Sequence, residues 1–282
     1  MIYLLRDGEI MADILHVELS KLILDTSKLN PSYIAYETDS ERIPSFTHSD
    51  LINDWHIEHI RRFNVTAEYL INSLQRVSIF GQMLTDGKTK EGHGNTTIDI
   101  IKEHRAACRE ACINIDIYIE KIKSFCRYYF FMDRKLTDDG KKWVETLMQY
   151  KDIEGWSYIQ SFLIKCQILW QDADTKFLID VRNDEIHNES PLELMQYRFA
   201  DDDLVPVIDT YVIPIDVIHN KITHTIETIV SITVALQDIL NNISPFSVYS
   251  YLSPRNGHLK NIIKMEDRYK LEREYIRRFY CI

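Results

Sequence analysis

The stretch TTIDIIKEHRAACREACINIDIYIEKIKSFCRYYFFMD, Thr96 to Asp133, holds neither proline nor glycine. Within it Ile98, Ile101, Arg105, Cys108, Cys112, Ile115, Ile119, Ile122, Cys126 and Tyr129 recur at alternating intervals of three and four. That spacing is the seam of a helix packed lengthwise against neighbours. At 3.6 residues per turn it predicts one helix of roughly ten turns. The fold class follows from it: an all-α, elongated helical bundle with a core of four or more long helices.

Working outward, the glycine-rich segment TDGKTKEGHGN (85–95) separates this helix from the one before it. The earlier helix is predicted from Leu51 to about Leu84, on Ile52, Trp55, His59, Phe63, Leu70, Leu74 and Val77, with Ser49 or Asp50 as N-cap. Asp25 to Ser49 carries Pro31, Pro44 and no sustained period, so it reads as a loop or extended arm. Ile10, Ile14, Leu15, Leu19, Leu22 and Ile23 predict a first amphipathic helix over residues 8–25. Downstream, a short helix is expected from Thr137 or Asp138 to about Asp152. Another opens at Gly155, with Tyr158, Phe162, Cys166, Leu169 and Trp170 as its stripe, continuing through Phe177, Leu178 and Val181; Asp172 and Asp174 are positioned to kink or cap it internally. Pro191 ends that segment. Residues 196–213 read as an irregular loop or a small hairpin. Helices resume over Ile215–Ile243 and from about Leu259 to Tyr280. The expected organisation is therefore an N-terminal helix and irregular arm (1–48), a bundle (49–243), and a loop with a basic C-terminal helix (244–282).

A net charge of −10 disfavours indiscriminate attraction to nucleic acid or anionic membrane, so any RNA contact requires a local basic patch. The C-terminal helix offers one in Lys264, Arg268, Arg273 and Arg277, with tyrosines interleaved. Arg6, Asp7 and Glu9 interrupt the N-terminal apolar residues, so neither a signal peptide nor a membrane span is expected there. The five cysteines are odd in number and lack CxxC spacing; free buried thiols in a reducing, cytoplasmic compartment account for them.

Patterns for other chemistries fail on spacing. Gly87-Lys88-Thr89 has the ending of a phosphate-binding loop, but five residues rather than four separate Gly81 from Gly87. His104, Cys108 and Cys112 stand at i, i+4 and i+8, yet both cysteines belong to the apolar seam and a fourth ligand is missing. No metal and no cofactor are expected.

What is left is VRNDEIHNE, Val181 to Glu189, at the end of a long apolar helix. Four residues separate Arg182 from His187, and Asn183 directly follows the arginine. In an all-helical chain this resembles the R-x(4–6)-H signature of the HEPN superfamily, in the form with a polar residue after the arginine. The resemblance implies a metal-independent endoribonuclease built as a homodimer, in a defence, toxin or stress-response role, with an antitoxin or regulatory protein as a further partner. It implies that His187 moves the proton of an RNA 2′-hydroxyl or of the leaving 5′-oxygen. Arg182 would stabilise charge on the phosphorus centre, and Asn183 would bind phosphate or orient the histidine. The alternative is a helical interaction or dimerisation module without catalysis, a reading favoured by the negative charge of Asp184, Glu185 and Glu189 around the motif.

Overall fold

The computed structural model describes residues 17–31, 48–85, 95–130, 140–187, 196–200, 203–207, 215–244 and 248. Helices dominate: α1 (His48–Thr85), α2 (Asn95–Tyr129), α3 (Gly140–Leu147), α4 (Trp156–Gln171), α5 (Ala173–His187) and α6 (Ile215–Asn242). The fold is an all-α bundle, and none of these helices is long and apolar enough to cross a membrane. The alternative left open at 196–213 resolves as a hairpin of β1 (Gln196–Ala200) and β2 (Asp203–Val207), antiparallel with Arg198 opposite Val205. Pro206 sits in β2 opposite Tyr197, tolerable in a two-stranded ribbon because each strand has an edge with no ladder partner.

The chain forms two compact units whose segments alternate along the sequence, so that α1, α2, α4 and α6 are each divided between the units. One unit contains Leu24–Val65, Glu120–Gln167 and Ile232–Ile282. Its core is aromatic: Phe63 meets Phe125 edge-on at 6.0 Å, Phe125 stacks on Tyr129, and Trp143 lies against Phe162 at 6.2 Å. The buried tyrosines also place their hydroxyls. Tyr129 donates to the Ile243 carbonyl at 3.0 Å, and Tyr150 donates to the Phe130 carbonyl. Both carbonyls follow the last turn of a helix, where the ladder leaves acceptors without partners.

Gly155 opens α4 with a φ of +87°, and a Cβ there would stand 3.0 Å from Ile243 Cγ1. Left-handed backbone and contact act together. Gly155→Ala is expected to destabilise the protein by about 1–3 kcal/mol, measured as a lower denaturant midpoint at unchanged m.

The predicted helix over 8–25 is a correction where it is described. Leu19–Leu22 and Thr26–Lys28 are single 3₁₀ turns, and Ile23 and Leu29 are extended. Side-chain amides compete here with helical hydrogen bonding. Asn64 accepts from Leu24 N–H at 2.8 Å and donates to its carbonyl at 2.9 Å. Gln237 brackets Asp25 in the same way, at 2.6 and 3.2 Å. The arm is thus pinned in extended form by two carboxamides. Residues 8–16 of the expected helix, and the expected helix over 259–280, lie outside the described residues.

The other unit contains Met1–Ile23, Thr66–Ile119 and Ile168–Ser231. Leu70, Leu74 and Val77 of α1, Ala107, Cys108, Ala111, Cys112 and Ile115 of α2, Leu178 and Val181 of α5, and Ile218, Ile222, Ile226 and Ile229 of α6 are buried. The α2 seam differs from expectation at one point: His104 takes the fully buried position, and Arg105 lies on the flank. Cys108, Cys112, Cys126 and Cys166 are buried free thiols, as the sequence suggested, and Cys281 lies outside the described residues.

Candidate functional site

The sequence pattern that runs from Gly155 through Val181 is two helices, and Asp172 is the reason. Its carboxylate accepts from the Thr175 amide and hydroxyl, both at 2.7 Å, which caps the start of α5. Partial burial opposes ionisation, but the Thr175 donors prevail and hold the Asp172 carboxyl below the usual carboxylate range. Lys221 of α6 binds Asp174 and lies 4.8 Å over the Phe177 ring, and Thr225 meets the Thr175 hydroxyl at 3.3 Å. Asp172, Asp174 and His224 lie close enough to hold a cation, but capping and the Lys221 pair already occupy the two carboxylates.

These contacts fix the rotation of α5, so that Thr175, Leu178, Val181 and Glu185 face inward. Arg182 is half-buried beside them. Its Nε lies 3.3 Å from Asp116 Oδ2 of α2, and its Nη1 donates to Asn183 Oδ1 at 2.8 Å. Arg182 and Asn183 are therefore brought together as a unit with Asp116, a residue the sequence reading did not single out. His187 is not part of that unit. It ends α5, exposed, about 140° around the helix from Arg182, and has no hydrogen-bond partner among the described residues.

The acidic neighbours separate by rotation. Asp184 is exposed, while the Glu185 side chain is fully buried, 3.4 Å from Arg109 Nε. Glu189 lies outside the described residues, as do Lys264, Arg268, Arg273 and Arg277. Positive charge appears instead on α2. Lys102, Arg105, Ala106, Arg109, Glu110 and Ile113 line a cavity of about 640 Å³ that Glu185 closes from α5. Both carboxylates there are engaged, Glu185 by Arg109 and Glu110 by Arg76 at 2.5 Å, so three cations of the lining stand against two paired carboxylates. Lys102, Arg105 and Arg109, at i, i+3 and i+7, were legible as one helical face, but not as one that meets α5.

The buried carboxylate makes a directional prediction. Arg109→Met removes a half-exposed cation but leaves Glu185 in the core, and is expected to cost about 2 kcal/mol, below the roughly 3–5 of a fully buried pair. Glu185→Met, which lets Arg109 turn to water, is expected to be near neutral. A greater loss for Glu185→Met in denaturant unfolding would refute this account. No family model, curated protein or solved structure matches this chain.

Proposed function

We propose that this chain is a metal-independent endoribonuclease of HEPN type, with Arg182, Asn183 and His187 as its working residues. The observation that supports this reading most is the orientation of Arg182 by Asp116 and Asn183, one and a half turns before an exposed histidine. Asn183 accepts from Nη1, and Nε lies within ion-pair distance of Asp116. A phosphate would approach Nη2, which neither residue occupies. The RNA backbone would continue along Lys102 and Arg105, whose charge is local in an otherwise acidic protein.

Arg182 and His187 diverge around α5, so one copy does not direct both at one phosphate. A two-fold homodimer through the end of α5 supplies the second set. Ile186, 44% exposed beside His187, is an apolar contact for such a partner. One histidine then takes the 2′-hydroxyl proton, the other protonates the leaving 5′-oxygen, and Arg182 balances charge on the phosphorane. The product is a 2′,3′-cyclic phosphate.

The second reading, a non-catalytic dimerisation module, draws on the same contacts: an arginine ion-paired to Asp116 and bonded to Asn183 is what a structural role would also produce. Incubating wild type, Arg182→Ala and His187→Ala with mixed RNA in chelator separates the two. Cyclic-phosphate products from wild type alone support the enzyme; equal residual cleavage in all three removes it.

A further inference from the structure

We propose that His104, Cys108 and His219 form a binding site for a single monovalent copper ion, independent of the ribonuclease reading. His104 and Cys108 occupy successive turns of α2, and His219 reaches them from α6, 115 residues away in sequence. The two Nε2 atoms are 2.9 Å apart, and Cys108 Sγ lies 3.9 Å from that of His104 and 3.8 Å from that of His219. Bonds of about 2.1 Å to nitrogen and about 2.3 Å to sulfur close on these three atoms at a point roughly 0.7 Å from their plane. The two nitrogens then subtend about 90° at the ion and each makes about 120° with sulfur, a shallow three-coordinate pyramid that needs no movement of the helices.

Three features select the ion. The first is coordination number: the cluster offers three ligands among the described residues, one short of the four that a closed structural zinc site uses. The second is charge, because all three side chains are buried. A core that resists charge accepts a neutral assembly most readily, and a copper(I) thiolate with two neutral imidazoles has no net charge. A divalent ion would leave one positive charge there, beside Arg105. The third is softness: thiolate and imidazole together suit copper(I) and zinc and exclude harder ions, so charge and coordination number separate those two.

Hydrogen bonding explains only one nitrogen of His219, whose Nε2 meets His104 Nε2 at 2.9 Å. Its Nδ1 is buried without a partner among the described residues, whereas core imidazoles are ordinarily satisfied. On binding, the Cys108 S–H bond is replaced by S–Cu, and the proton passes to solvent. The imidazole that carried hydrogen at Nε2 shifts it to Nδ1, and copper keeps its oxidation state.

The test is anaerobic titration of the full chain with copper(I) against a chromophoric copper(I) chelator, followed by X-ray absorption of the loaded protein. One equivalent is expected, with two nitrogen scatterers and one sulfur. Cys108→Ser and His219→Ala should each lose more than the roughly 10–100-fold in affinity that loss of an outer-shell partner costs, while Cys112→Ser should retain wild-type uptake. No uptake, a shell of two or more sulfurs, uptake retained in Cys108→Ser, or preferential loading with zinc would each overturn the proposal. The wild-type spectrum decides even where a variant fails to fold.

Discussion

His187→Ala is expected to lower RNA cleavage by about 10²–10⁴-fold, the range that a positioned acid or base contributes. Because the side chain is exposed at the end of α5, the same substitution should leave the thermal transition within about 2 °C of wild type. Loss of activity without loss of stability is the signature of a chemical role. Arg182→Ala should lose about 10²–10³-fold through the missing phosphate contact. It should also cost about 1 kcal/mol, since Asp116, 18% exposed, loses the Arg182 guanidinium. Mixing His187→Ala subunits with wild type tests the dimer: a heterodimer keeps only one of the two histidines, so cleavage should fall more steeply with the share of variant than dilution alone would give. Activity unchanged in His187→Ala, or abolished by chelator in wild type, would end this reading.

Trp143→Ala is expected to have the largest effect on stability, about 3–5 kcal/mol. The indole is fully buried, packs against Phe162 from α4, and belongs to the short helix α3, which has only eight residues. A helix that short does not hold itself together in water, so its packed face stabilises it. Removing the largest side chain on that face leaves a cavity and loosens α3 together. In a chain of this length the transition should fall by on the order of 10 °C. A fall of under 2 °C in calorimetry would show that the neighbouring side chains collapse into the space. Trp143→Phe should recover more than half of the loss, because it keeps the aromatic contact with less cavity.

The helices were legible because the hydrogen bonds that make them are local. The run from Thr96 to Asp133 carries its own 3.6 period and lacks breakers, and α2 covers Asn95–Tyr129. The same holds for α1 and α6. Asp172 was also readable as an internal cap, because a cap acts over three residues. Where the local pattern misled, a distant group intervened. Leu19, Leu22 and Ile23 have helical spacing, but Asn64 and Gln237 take the adjoining backbone into an extended arm.

The candidate residues divide on the same ground. Sequence alone determined that Arg182, Asn183 and His187 lie on one helix, with Asn183 and His187 four apart on one face and Arg182 toward its flank. Tertiary structure decided that Asp116 holds the arginine, that Glu185 turns inward to Arg109, and that Lys102 and Arg105 open on a cavity beside them. It likewise replaced the expected His104-Cys108-Cys112 line, from which no metal was anticipated, with a triangle closed by His219. Periodicity records which face of each helix is apolar. It does not record which face of another helix will lie against it, and the chemistry of this chain is assembled across those contacts.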